Sequence, residues 1–181
     1  MLSALIFLIT TLADLYMLTF LLRFIMQWVR ASHYNPLSQF VFKVTSPLVM
    51  PARRMLPSVG GLDTPTLAVL ILLEIVVTFL LLRLSGISLP VPQLLLYSLL
   101  RLIALAVWFY TGALFVYVLL SWFGDRGSNP MAALLGELVE PLLRPVRRLV
   151  PPIGGLDLSP LIVILLLQFA MRVLPLRFYV P

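Results

Sequence analysis

Apolar and polar positions fall in long blocks along this chain. Residues 1–28 form an apolar run charged only at Asp14, near its middle, and Arg23, near its end. Residues 66–84 form a second run charged at Glu74 and Arg83, followed by an uncharged turn at residues 85–93 that contains two prolines. Residues 94–123 are a third run of 30 residues with Arg101 inside it. The fourth run, residues 161–174, contains Gln168 and Arg172, and Pro175 ends or kinks it just before Arg177. A helix crosses a bilayer core with about 20 apolar residues, so the pattern predicts four transmembrane helices. The third run exceeds one crossing, which places its first turns around Arg101 in the interface or tilts the helix.

The polar stretches between runs one and two and between runs three and four are copies of each other. A shift of 94 residues lays residues 122–157 on residues 28–63 with 13 identities over 36 positions. Trp28 meets Trp122, Asn35-Pro36 meets Asn129-Pro130, Pro47 and Pro51 meet Pro141 and Pro145, and Arg53-Arg54 meets Arg147-Arg148. Pro57 meets Pro151, and Gly60-Gly61-Leu62-Asp63 meets Gly154-Gly155-Leu156-Asp157. Matches concentrated in Pro, Gly, Asn and Arg, in a chain so rich in Leu, indicate an internal duplication.

Each copy opens with an N-capping asparagine and a proline at the first helical position. Leu37, Phe40, Val41 and Val44 then fall at i, i+3, i+4 and i+7, as do Met131, Leu134, Leu135 and Leu138, while Ser38, Gln39, Lys43, Glu137 and Glu140 lie mostly off that stripe. The spacing predicts an amphipathic helix of about three turns lying in the membrane interface. Pro47 and Pro141 are expected to end it, because proline every four to six residues opposes a continuous helix. The glycine pairs allow a tight reversal, and Thr64-Pro65 and Ser159-Pro160 read as cap and first residue of the returning helices. The second copy has one more residue before that cap, so the returning helices start one residue out of phase.

The fold class expected is therefore an all-α polytopic membrane protein, with four transmembrane helices in two tandem parallel repeats. Each repeat is a helical hairpin with an amphipathic interfacial helix in its loop. The first occupies residues 1–87 (spans 1–28 and 66–84, loop 35–59), residues 88–94 link, and the second occupies 95–181 (spans 101–123 and 161–174, loop 129–153). Two spans per repeat insert both copies the same way, about a pseudo-twofold axis along the membrane normal. Arg30, Lys43, Arg53, Arg54, Arg126, Arg144, Arg147 and Arg148 all fall in the long loops. The positive-inside rule puts those loops in the cytoplasm and both termini outside.

Composition agrees with that picture and narrows the chemistry. The chain is 61% hydrophobic and 11% charged, against about 25% charged in soluble domains. It has no cysteine and one histidine, His33, which excludes disulfides, thiolate metal sites and two-histidine metal or haem centres within one chain. With no Ser/His/Asp set, paired intramembrane aspartates or metal cluster in the pattern, no catalytic, cofactor or metal site is expected. The net charge of +6 rests on twelve arginines and one lysine. In a membrane protein it points to anionic lipid headgroups, not nucleic acid. Arg53, Arg54, Arg147, Arg148 and Lys43 are the expected contacts to lipid or to a partner. Trp28 and Trp122 fall where an aromatic belt is expected, and His33 in an exposed polar loop.

Within the runs, Asp14, Arg23, Glu74 and Gln168 are the polar positions of interest, because an ionisable group at bilayer depth costs about 2.5 kcal/mol or more and needs a partner. Glu74 and Gln168 are repeat mates. In an antiparallel helix pair Arg23 lies level with Glu74, so that ion pair is expected, with Arg83 and Arg177 snorkelling outward. Asp14, whose mate is Trp108, is left to face Thr10, Thr11, Arg101 or a water-filled seam.

Asn-Pro, Pro-x-Arg-Arg-x-x-Pro and Gly-Gly-Leu-Asp running into a Ser/Thr-Pro cap, twice and in register, resemble the YggT/YlmG family of small bacterial and plastid membrane proteins. The resemblance implies a multi-pass protein of the bacterial inner membrane. It also implies a role in osmotic or extracytoplasmic stress (potassium uptake being one route), in cell division and nucleoid or plastid organisation, or in cytochrome assembly. It implies no catalytic residue. Three functions follow as expectations: a scaffold or assembly factor presenting the basic loops, as a homo-oligomer or with a membrane-protein partner; a small transporter or channel subunit for potassium or an osmolyte, with Asp14, Glu74 and Gln168 along its path; or a lipid sensor.

Overall fold

The computed structural model describes residues 2–123, 129–150 and 157–174. The side chain of Trp122 and residues Arg126, Pro151, Gly154, Gly155, Pro175 and Arg177 lie outside the described residues. Regular structure among the described residues is entirely helical: α1 (Leu2–Trp28), α2 (Pro36–Met55), α3 (Thr64–Leu84), α4 (Val91–Phe123), α5 (Pro130–Leu149) and α6 (Ser159–Val173). Three of these, α1, α3 and α4, are long and apolar enough to cross a membrane. The apolar α6 has 15 residues, about 22 Å of helix against a hydrocarbon core of about 30 Å.

Asn35 caps α2 and Asn129 caps α5, each side chain accepting the N–H two residues on at 2.9 Å, with proline at the first helical position. Both helices continue well beyond the point where their prolines were expected to stop them. α2 runs through Pro47 and Pro51, and α5 through Pro141 and Pro145. Two features permit this. A spacing of four puts each proline pair on one side, where the second proline's missing N–H would have met the first proline's own carbonyl. In α2 that side is exposed (Lys43, Pro47 and Pro51), so the released carbonyls face out of the bundle. The opposite side is anchored by buried Ser38, Val41, Thr45 and Val49. Ser38 thus belongs to the packed face, while Leu37 and Phe40 of the expected stripe are exposed. In α5 the stripe residues Leu134, Leu135 and Leu138 are buried and Met131 is exposed.

The core has two centres. Met17, Phe20, Leu21 and Ile25 of α1 pack with Val41 and Val49 of α2, Leu70 of α3 and Leu102 of α4. Ala113 and Leu114 of α4 pack with Leu135, Val139 and Leu143 of α5 and Val163 of α6. The second set repeats the first at a distance of 94: Phe20/Leu114, Val41/Leu135, Thr45/Val139 and Val49/Leu143 are buried in both copies. Leu134 and Leu138 of α5 join the first centre, so α5 ties the two repeats together.

Among the described residues the packing does not show the expected twofold relation. It would turn the α3–α4 packing into an equal packing of α6 on α1. Instead α6 packs on α4 and α5, and α1 on α2, α3 and α4. The covalent turn between α3 and α4 makes them hairpin neighbours, and no such link joins α6 to α1. The returning helices also begin one residue upstream of their expected caps' successors: Thr64 and Ser159 are themselves helical, after Asp63 and Leu158. The start points are 95 residues apart, consistent with the extra residue of the second copy. One residue is about 100° of helix, so Gln168 does not occupy the face that Glu74 does; it is exposed.

Candidate functional site

Two groups of polar side chains emerge, one at the loops and one within the apolar helices. In the first loop, Val59, Gly60, Gly61 and Leu62 make a tight turn closed by Leu62 N–H to Val59 O at 3.0 Å. Gly60 and Gly61 have φ of 63° and 81°, a left-handed pair that glycine adopts without strain. The turn brings Asp63 back to the end of α2, where its fully buried carboxylate meets Arg53 Nη2 at 3.0 Å. Thr66 also donates to the same Oδ2. The second loop repeats the pair: Arg147 Nε lies 2.8 Å from Asp157 Oδ2. Arg147 further donates to Glu140 at 2.8 Å and to the Tyr117 hydroxyl at 3.4 Å.

These pairs join the last turn of one helix to the N-terminus of the next, so each charge also complements a helix dipole. Burial alone would raise the Asp157 carboxyl; hydrogen bonds from Ser159 and the Arg147 guanidinium outweigh it and hold the group below the usual carboxylate range. Burial alone would lower Arg147, but hydrogen bonds to Asp157 and Tyr117 and the nearby acids raise it. In each copy the first arginine of the pair is thus engaged within its own loop, while Arg54 and Arg148 are exposed together with Lys43 and Arg144. Across the repeats, Asn35 Nδ2 donates to Pro130 O at 2.7 Å and Ser32 N–H to Glu137 at 3.1 Å.

The intramembrane group departs from expectation. Arg23 does not pair with Glu74. Its Nη1 donates to Thr45 Oγ1 at 2.8 Å, Ser46 Oγ at 3.2 Å and Phe42 O at 3.3 Å, and its guanidinium lies over the Phe42 ring, 4.9 Å from the centroid. Arg23 therefore holds α2 against α1. Its level match with Glu74 failed because packing turned Arg23 toward the loop helix.

The cation that meets Glu74 is Arg101. It is buried at 5% exposure, with Nε 3.2 Å from Glu74 Oε1. Its Nη2 contacts Asp14 Oδ1, one of the partners open to that aspartate. Thr78 donates to Glu74 at 3.0 Å. Asp14, Arg101 and Glu74 come from α1, α4 and α3, so the cluster joins three long helices. Beside it a cavity of about 750 Å³ opens between α1, α3 and α4. Asp14 and Arg101 line that cavity; Glu74 does not, and Gln168 is not brought to it.

Sequence reasoning missed the acid partners of Arg53 and Arg147, and it missed Arg101 as the partner of Glu74 while naming it among those open to Asp14. The ten-residue spacing of Arg53/Asp63, repeated in Arg147/Asp157, was a usable signal of loop closure. Arg101 had a weaker one, as a lone cation in an otherwise apolar run.

Apolar helices of membrane-crossing length, tied by a buried ion cluster and carrying duplicated proline-rich loop helices, define a helical membrane protein of tandem repeats. The sequence profile of the CCB3/YggT family matches residues 2–84 and again 96–178, the same 94-residue step, and the chain belongs to this family. It is 44% identical over 168 residues to an uncharacterized protein of Pseudomonas aeruginosa, covering 92% of this chain and 85% of that one. It is 40% identical over 166 residues to the uncharacterized protein YggT of Escherichia coli K12, covering 91% and 86%. An uncharacterized protein of Vibrio alginolyticus is 42% identical over 167 residues, covering 91% and 89%. No solved structure matches.

Proposed function

We propose that this protein is a non-enzymatic scaffold or stress-response factor of the bacterial inner membrane, presenting two basic loop helices at the cytoplasmic face. In this reading α6 completes a fourth crossing, both termini lie outside, and the loops engage anionic headgroups and a membrane-protein partner. The observation that carries it is the repeated division of labour in the arginine pairs. Arg53 and Arg147 are held by Asp63 and Asp157, and that fixes the loop from which Arg54 and Arg148 project. A loop needing only positive charge for topology has no use for two such clamps.

The alternative, a small transporter or channel subunit for potassium or an osmolyte, draws on the cavity that reaches Asp14. It has less support, because one arginine holds both Asp14 and Glu74 and Gln168 lies apart. A strain lacking its own YggT protein, complemented and exposed to hyperosmotic shock, separates the two. The scaffold reading expects Arg54→Glu/Arg148→Glu to lose rescue and Asp14→Asn to keep it, with both variants present in the membrane at wild-type levels. The opposite pattern defeats it.

A further inference from the structure

The two returning helices have unequal surroundings. Among the described residues α3 packs on α1, α2 and α4, whereas α6 packs on α4 and α5, the counterparts of α1 and α2. The neighbour missing from α6 is the one that α4 supplies to α3, and α4 is itself the second repeat's copy of α1, 94 residues on. α6 turns Val163, Ile164 and Leu167 into the second core centre and leaves Leu165, Leu166, Gln168 and Phe169 exposed. On α1, Ala4 and Leu8 are exposed. Their copies in α4, Ser98 and Leu102, are buried beside Ile71 and Ile75 of α3. Each end of the tandem thus exposes one half of the packing that joins the repeats in its middle.

The ion cluster points the same way, residue by residue. Asp14, Arg101 and Glu74 meet where α4 packs on the first repeat. The 94-residue step carries Asp14 to Trp108 and takes Arg101 back to Phe7. Glu74 falls on Gln168 by that step and on Phe169 by the helix starts. Trp108, Phe7 and Phe169 are 67%, 54% and 68% exposed, and Gln168 is exposed too. Three rings and an amide therefore stand at the outer ends where the inner junction has three charges. The replacement is matched on both sides, so joining the ends strands no charge at these positions. Phe7 and Trp108 also line the cavity between α1, α3 and α4, yet their own chain leaves both more than half open. Lipid tails cover apolar rings as readily as protein does, so exposure alone selects no occupant. Two observations select a second copy. These helix faces are already packed together once, as α3 on α4. Gln168 also presents an amide that lipid tails cannot hydrogen-bond and a neighbouring helix can.

We propose that α4 and α6 of one copy receive α1 of a second copy, head to tail, with Phe7 of the second copy seated near Trp108 and Phe169 of the first. Copies inserted the same way set α6 antiparallel to the incoming α1, as α3 is to α4. The contact uses different surfaces on its two sides, so it propagates into a ring or a row. It rests on the fourth crossing proposed for α6 and is independent of what the loops engage. The chain has no cysteine, so the test is site-directed crosslinking of the full chain in bacterial membranes with a short bis-maleimide. Leu8→Cys carrying one tag and Leu165→Cys carrying another are co-expressed. A product bearing both tags is expected, and none from either variant alone. Ile71→Cys/Leu102→Cys within one chain is the control that the reagent reacts at this depth. Trp108→Ala in both partners is expected to cut the mixed product severalfold. Absence of the mixed product while the control reacts overturns the proposal and leaves the faces to lipid. Equal product from either variant alone, equal product with an unrelated membrane protein carrying one exposed cysteine, or an unchanged yield in Trp108→Ala also overturns it. Labelling of Arg172→Cys by an impermeant maleimide from outside reports the crossing separately. Mixed product absent with that label present sinks this inference alone; both absent sink it together with the fourth crossing.

Discussion

Arg101→Met is the substitution that most directly tests how the long helices are held together. It keeps an unbranched apolar stem out to about the position of Nε and removes the one guanidinium that Asp14 and Glu74 share. Deleting one member of a buried ion pair costs about 3–5 kcal/mol, chiefly because the remaining charge is left in low dielectric. Here two carboxylates remain, but Asp14 is partly open to the cavity, so the lower end, about 3 kcal/mol, is the expected loss. For a chain of this length that corresponds to roughly 6–12 °C in unfolding midpoint. Removing all three charges together (Asp14→Asn, Glu74→Gln, Arg101→Met) leaves no charge to strand, and such replacements are often neutral or stabilising by about 1–4 kcal/mol. The triple variant should therefore unfold near or above the wild type. Thermal unfolding of detergent-purified protein, followed by tryptophan fluorescence, measures both. An unchanged midpoint in Arg101→Met, or a triple variant no more stable than the single one, refutes the account of the cluster as a shared-cation junction.

Thr45→Val removes a fully buried hydroxyl that accepts from Arg23. A hydrogen bond to a charged group is worth about 1.5–3 kcal/mol; because Ser46 and the Phe42 carbonyl remain as acceptors, about 1.5 kcal/mol is expected. The loss should appear as faster proteolysis within residues 36–55, and unchanged cleavage kinetics would mean that Arg23 does not hold α2 in place. Asp157 makes a pH-dependent contribution. A carboxyl depressed in the folded state adds stability above its unfolded value of about 4 and loses it as pH falls through the folded value. Midpoints measured from pH 6 down to about 3 should thus fall more for wild type than for Asp157→Asn, by a modest amount because the pair is partly exposed. Parallel curves would count against the loop clamp.

Much of this protein is legible in its sequence because the signals are local. Runs of apolar residues demand helices in which every backbone group is bonded internally. Asn-Pro marks a helix start through capping geometry alone, and Gly60-Gly61 marks a reversal through backbone sterics alone. The duplication needs no structure to be seen, and the family profile meets it at the same step. What depended on tertiary packing was which face of each helix meets which neighbour. Local proline chemistry argued for a break at Pro47, yet the buried face of α2 against the bundle outweighed it, with the defects turned outward. Counting residues made Arg23 level with Glu74, but depth fixes only height. Azimuth is set by the packing of three helices at once, and that packing gave Glu74 to Arg101 and Arg23 to Thr45. The one-residue difference before α6 acted the same way, turning Gln168 away from the face its repeat mate occupies.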